Sequence, residues 1–317
     1  MAEPVSRRAL LFGLPAAARA RRAASLGTGR SPPGPATWEA RDHRVLGRRL
    51  EPAAEQILQA SAAGPGKRLL DVAAGDGYVA QAAAREGADV VAVDPAPGLV
   101  ARGRARSEAC GLAVDWRVGD AESLSLDDAC FDCVASNFGI IRARDPRRVV
   151  DELDRVLRPG GSVLVTAWAS AGLMGRVLRL AAQVEDRSPG GARPEWWGRY
   201  EGVQLAFSRF PGFEVRDSSL RWRFASADAI WHELAAPSGP LAAAAGRDER
   251  LRERLMEIVE PFACRERDHV VLDVGYVLVV ARKPQWARRV EAPTGIEPVY
   301  TALQWARCRG FGAPARR

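Results

Sequence analysis

The sequence predicts an α/β protein built on a doubly wound, mostly parallel sheet of seven strands. Three observations carry this. Short apolar runs, buried on both faces, alternate with stretches whose apolar residues recur at helical spacing, the pattern of a parallel sheet covered by helices. A turn of small residues, Ala73 to Gly77, joins the first strand to the first following helix. Late in the chain two long apolar strands flank a helical insertion and have room to pair antiparallel, so the last strand runs against the rest.

Each element has a local reason. Residues 38–62 place Leu46, Leu50, Ala54, Ile57 and Leu58 on one helical face. The breaker "GPGK" precedes strand one, Arg68–Ala73. Tyr78–Glu86 reads as a helix, Asp89–Val93 as strand two, and Pro97 suits the first turn of a helix running to about Cys110. Trp116–Val118 and Phe131–Ser136 are strands three and four. Asp145 can cap a helix opened by Pro146, with Val149, Val150, Leu153, Val156 and Leu157 on its buried face. "RPGG" stops that helix, and Ser162–Ala167 is strand five. Helices follow at 172–184 and 201–210. Phe213–Phe224 is a strand, 227–235 and 248–262 are helical, and Val270–Ala281 is the last strand.

Charge is unevenly placed. The chain of 317 residues carries a net charge of +7. Ten arginines and three acids lie in residues 1–50, and eight basic residues and two acids lie in 282–317, which leaves the stretch between near −6. Basicity therefore belongs to the ends, and the body offers no nucleic-acid surface. Residues 1–36 and 284–317 lack apolar periodicity and read as a disordered or over-extended start and a disordered tail. No apolar run reaches the length of a membrane span. The N-terminal arginine pair resembles an export signal, but Arg19, Arg21 and Arg22 follow its apolar stretch at once. Five cysteines in no disulfide spacing suit a reducing compartment, and the expected location is cytoplasmic. Cys130 and Cys133 have neither a second pair nor histidines nearby, so no metal site is expected.

The turn after strand one carries the chemistry. Gly75 and Gly77 let backbone approach a ligand, and the next helix offers free N–H groups. Asp94 ends strand two, where a carboxylate can accept both hydroxyls of a ribose. These features indicate a nucleoside cofactor. Gly75, Gly77 and Ala80 also fit the permissive dinucleotide pattern, so an NAD-dependent oxidoreductase is one alternative. A cofactor-binding protein without catalysis is another. Against NAD, Asp71 lies four residues before Gly75, where a carboxylate suits a cation better than a pyrophosphate. Asp120, after strand three, offers an acceptor to an adenine amino group.

Five segments, "LLDVAAGDG", "VVAVDPAPGLV", "VGDAESL", "FDCVASNFGI" and "ELDRVLRPGG", occur in the order and spacing of one family. The chain resembles the class I S-adenosylmethionine-dependent methyltransferases, and is similar to their quinone-biosynthesis C-methyltransferase type. The resemblance is carried by about 120 residues, Val45 to Ala167, and extends to about Lys283. It implies a Rossmann-like methyltransferase domain over residues 37–283, with helical cap insertions at about 169–210 and 225–268. It implies S-adenosyl-L-methionine as the cofactor. Asp71 and the turn Ala73, Gly75, Asp76 and Gly77 would hold its methionine end, and Asp94 its ribose. Pro95 would pack by the adenine, Asp120 and the Ala121 backbone would read the adenine edge, and Asn137 would face the sulfonium. Ala73 departs from the glycine common in the broader family, and Asp76 stands where threonine is common.

The expected activity is methyl transfer to a small, apolar or aromatic molecule. A sulfonium is already activated, so such an enzyme chiefly aligns its substrates and excludes water. A hydroxyl acceptor would be helped by a general base, for which His43 and His232 are the candidates. Arg44 could pair with the cofactor carboxylate. Trp196, Trp197, Tyr200, Phe207, Trp222, Phe224, Trp231 and Phe262 could line an apolar acceptor pocket or form the core of the cap.

Overall fold

In a computed structural model, residues 44–184, 197–236, 240–242, 244–246 and 248–285 are described. His43, Trp196 and both expected tails, except for residues 284 and 285, lie outside them, as does the side chain of Arg44. The early strands are β1 (Arg68–Val72), β2 (Asp89–Asp94), β3 (Asp115–Val118), β4 (Phe131–Asn137) and β5 (Leu157–Trp168). The late strands are β6 (Phe213–Phe224), β7 (Ala263–Glu266) and β8 (His269–Arg282). The helices are α1 (Arg44–Ser61), α2 (Tyr78–Arg85), α3 (Pro97–Ala109), α4 (Pro146–Val156), α5 (Leu173–Val184), α6 (Tyr200–Ala206), α7 (Ala227–Ala235) and α8 (Leu251–Val259).

The strands form one sheet in the order β3-β2-β1-β4-β5-β8-β6, with β7 added beside β8. β1 to β5 pair in parallel, and β8 lies antiparallel to both β5 and β6. The chain winds outward in opposite directions from β1 and β4, so a crevice opens at their carboxyl ends. Neighbouring residues of one strand serve opposite layers. Leu69, Ala135, Leu164 and Leu278 pack with Ala54 and Ile57 of α1 and Val79 and Ala83 of α2. Leu70, Val134 and Val163 pack with Val149, Leu153 and Val156 of α4 and Val177 of α5.

Asp145 caps α4 as expected, accepting from the Arg147 and Arg148 amides at 2.9 and 3.4 Å. The fold differs from expectation in two places. Helix α4 does end at Val156, but the "RPGG" segment is extended and belongs to β5. Phe131 pairs with Leu157 and Cys133 with Ser162, so the segment bulges out of the ladder. Gly160 supplies the needed positive φ of 82°. Among the described residues the expected path of seven strands is present, and a short eighth strand is added to it. β7 is short and mostly exposed, and backbone pairing to the first residues of β8 makes it a strand.

Candidate functional site

The turn after β1 is built by three left-handed residues. Ala73, Gly75 and Gly77 have φ of 54, 57 and 80°. A methyl on Gly77 would stand 2.5 Å from the Trp116 ring, which props up the turn from β3. Trp116 is itself fixed, donating from Nε1 to the Ser107 hydroxyl at 3.2 Å. Ala73 bears the strain of a position that suits glycine.

Two carboxylates tie this turn to the sheet. Asp94 accepts from the Gly75 amide through Oδ2 at 2.8 Å and from the Ala96 amide through Oδ1 at 2.9 Å. Each oxygen keeps a further lone pair for a ligand. Asp71 accepts from the Ala80 amide of α2 at 3.0 Å. Both are buried, at 1% and 4% exposure for Asp71 and Asp94. Burial pushes the Asp71 carboxyl up to about 7, against the pull of the Ala80 N–H, and the nearby Asp94 adds to the rise. Burial raises Asp94 as well, opposed by the Ala96 and Gly75 amides. Asp76 turns toward α3, its Oδ1 lying 3.3 Å from Nε of Arg102. Three acids and one arginine make this floor suited to a cation.

The other expected residues lie around the same crevice. Pro95 is half-buried beside Asp94. Asp120 is exposed and accepts from the Glu122 amide at 2.9 Å, bracketing Ala121. The Gly119 amide donates to the Asp94 carbonyl at 3.1 Å, so this loop hangs from the end of β2. Asn137 ends β4 and joins three elements. Its Nδ2 donates to the Leu50 carbonyl of α1 at 3.2 Å, and its Oδ1 accepts from Thr166 of β5 at 2.8 Å. Gly139 must be glycine here, since a methyl would meet the Ala73 carbonyl at 2.5 Å. His232 is exposed on α7.

The expected aromatic residues separate into two groups. Trp197 and Phe207 are fully buried, and with Tyr200 and Phe213 they form a ring cluster of their own. Trp222 and Phe224 instead join residues that sequence reasoning passed over. Phe138 stacks on Trp168 at 4.0 Å and meets Tyr276 edge-on at 5.6 Å, and Trp168 meets Trp222 edge-on at 5.9 Å. Arg49 of α1 lies over Phe224 at 4.2 Å and Trp222 at 5.3 Å, and forks onto Glu233 of α7 at 2.6 and 2.7 Å. This second group begins one residue after Asn137. Trp231 and Phe262 are half-buried.

A separate cavity of about 580 Å3 opens at the other end of the sheet, lined by Arg68, Cys130, Phe131 and Arg155. The Arg155 guanidinium there is spent on Glu152, Asp128 and two carbonyls.

Residues 70–165 match the methyltransferase domain family. An uncharacterised protein of Mycobacterium tuberculosis, Rv1403c, is 37% identical over 172 residues, 54% of this chain and 63% of that protein. The demethylmenaquinone methyltransferase of Clavibacter sepedonicus is 41% identical over 109 residues, 33% of this chain and 42% of that enzyme. The chain thus spans less than two thirds of the length of these curated relatives. The YcgJ protein of Bacillus subtilis has a like fold, with a TM-score of 0.55 and 17% identity over 73% of this chain and 98% of that one. A candidate methyltransferase of Bacillus halodurans gives a TM-score of 0.53 and 23% identity over the same shares, 73% and 98%. Motifs, sheet order and family match agree: the chain carries a class I S-adenosylmethionine-dependent methyltransferase domain, similar to the quinone-biosynthesis C-methyltransferase type.

Proposed function

We propose that the chain transfers a methyl group from S-adenosylmethionine to a small, apolar or aromatic acceptor. The observation that carries the acceptor side is the buried ring group of Phe138, Trp168, Tyr276 and Trp222, which starts beside Asn137. Such a wall favours flat, apolar molecules.

S-adenosylmethionine supplies an activated methyl: the acceptor's electron pair forms the new bond, the S–C pair returns to sulfur, and the acceptor's proton passes to water. The chain's part is to bind and align. The lone pairs left on Asp94 take the two ribose hydroxyls, and Pro95 packs by the adenine. The free oxygen of Asp120 and the Ala121 amide read the adenine edge. Asp71, with the Ala73–Gly77 turn and Asp76, holds the methionine end, where negative charge suits its ammonium. Asn137 fixes α1 over the crevice, and α1 with the cap keeps water from the methyl. His232, being exposed, serves as a base only if α7 moves. Among the described residues no helix is long and apolar enough to cross a membrane. A cytoplasmic location belongs to this reading, supported by the free thiols of Cys110, Cys130, Cys133 and Cys264.

Calorimetry with S-adenosylhomocysteine and NADH tests the cofactor. Micromolar binding of the first and none of the second is expected, and the reverse would overturn the reading. A radiolabelled methyl donor with a panel of ring and aliphatic acceptors then tests the reaction.

A further inference from the structure

Thr166 lies on β5 directly across the ladder from Asn137, in the otherwise apolar run of residues 163–168. It is fully buried. A valine of the same shape would fill the same space, so packing alone does not call for a hydroxyl here. The hydroxyl is used twice: Oγ1 accepts from the Phe138 amide at 3.0 Å and donates to Oδ1 of Asn137 at 2.8 Å. The Asn137 amide is thereby fixed with its oxygen at β5 and its Nδ2 donating to the Leu50 carbonyl of α1 at 3.2 Å. Reversed, it would set its oxygen against the Leu50 carbonyl oxygen, two acceptors with no proton between them. The second bond holds the next residue. Phe138 has a φ of 57°, a conformation that bulky residues rarely adopt, and its amide is tied to Thr166. On either side of it the loop is pressed onto the turn after β1. Ser136 donates to the Val72 carbonyl at 2.8 Å, and a methyl on Gly139 would stand 2.5 Å from the Ala73 carbonyl. One buried hydroxyl thus ties β5 both to α1 and to the loop that rests on the turn.

We propose that Thr166 is a positioning residue for methyl transfer: its hydroxyl orients the Asn137 amide so that α1 is held over the methionine end of the cofactor, and keeps the Phe138 loop on the turn beneath. This rests on the reading above, in which α1 covers the crevice and the Ala73–Gly77 turn takes the methionine end. Without the hydroxyl, the Phe138 N–H and the Asn137 oxygen lose a buried partner, and the amide no longer has a fixed sense. The chain of bonds does not run through Asp94, Pro95 or Asp120, which face the adenosine part. Thr166 therefore governs how the amino-acid part of the cofactor is held and leaves the nucleoside part alone.

The test uses the full chain and two probes in calorimetry, S-adenosylhomocysteine and adenosine. Thr166→Val keeps the side-chain shape and removes the hydroxyl. It should weaken S-adenosylhomocysteine about tenfold or more and change adenosine by less than about twofold. Thr166→Ser, which keeps the hydroxyl, should bind both within about threefold of wild type. With S-adenosylhomocysteine bound, the α1 amides before Pro52 should exchange with deuterated water faster in Thr166→Val than in wild type, and those after Pro52 at the same rate. Unchanged S-adenosylhomocysteine affinity in Thr166→Val overturns the proposal. An equal loss for both probes also overturns it, since the whole site is then distorted. So does a Thr166→Ser variant as weak as Thr166→Val, because shape and not the hydroxyl would then matter. Should Thr166→Val fail to fold, Thr166→Ala is compared with Thr166→Ser on the same measures. If wild type binds adenosine as tightly as S-adenosylhomocysteine, the reading of the methionine end fails and the proposal with it. If it binds neither, the cofactor reading fails first.

Discussion

Replacing Asp71 by asparagine should change how stability and cofactor affinity depend on pH. In the folded protein burial lifts this carboxyl from 3.8 to about 7. Below about pH 4 both folded and unfolded chains hold the proton, and the group costs nothing. Between about 4 and 7 the unfolded chain gives it up while the folded chain keeps it, so stability falls as pH rises. Above about 7 the loss is complete. At about 1.36 kcal/mol per pH unit, the rise corresponds to about 4 kcal/mol at most. The carboxamide of Asp71→Asn can still accept from the Ala80 amide and carries no charge. Without ligand, the variant should melt with the wild type near pH 4, yet about 8–16 °C above it near pH 8. The cofactor's ammonium favours the ionised carboxylate. Wild-type affinity for S-adenosylhomocysteine should therefore fall about tenfold per pH unit below pH 7, and the variant should bind more weakly with a flatter profile. Melting curves from pH 4 to 8.5 and calorimetry in buffers of different ionisation enthalpy measure both. If variant and wild type keep a constant difference in melting temperature at every pH, Asp71 does not titrate in this range and the reasoning fails.

Three further outcomes follow from the same turn and its cover. Asp94→Ala removes the ribose contact proposed above and the acceptor of the Gly75 and Ala96 amides. S-adenosylhomocysteine affinity should drop at least tenfold, and calorimetry showing unchanged affinity would refute the assignment. Ala73→Gly should relieve a residue held at φ 54°, raising stability by up to about 1 kcal/mol after glycine's entropy cost. A lower denaturation midpoint would show that Ala73 is not strained. Arg49→Ala and Glu233→Ala should each loosen α1 from the cap. Since the pair is partly exposed, a double-mutant cycle should give a coupling near ~1 kcal/mol, and a coupling near zero would mean that ring stacking alone holds Arg49.

Some elements were legible because their cause is local. Phe213–Phe224 ends where expected because alternating Leu220, Trp222 and Phe224 declare a half-buried strand. Asp145 and Pro146 announce α4 by capping chemistry that needs only neighbouring residues. The five motifs place the glycine-containing turn after β1 because its geometry depends on residue type within a few positions. β7 was invisible, since the four residues "ACRE" show no apolar alternation and their pairing comes wholly from β8. The extended "RPGG" was misread because two glycines and a proline look like a break, and only register with β4 makes them a bulge.

Residue order alone was enough to set the succession of strands and helices, the glycines of the turn and the carboxylates at the ends of β1 and β2. Those rest on side-chain size, charge and local backbone preference. Which aromatic residues stand together was left to the packing of distant segments. Trp197 and Trp222 look alike along the chain, yet one is fully buried in the cluster with Phe207 while the other meets Trp168 and Arg49. That choice follows from the antiparallel register of β6 on β8, where Trp222 faces Leu272 and Ser218 faces Tyr276. A slip of one residue would turn every side chain of β6 to the other face. The raised carboxyl of Asp71 has the same origin: its charge is written in the sequence, but the helices that remove water from it arrive only with the fold.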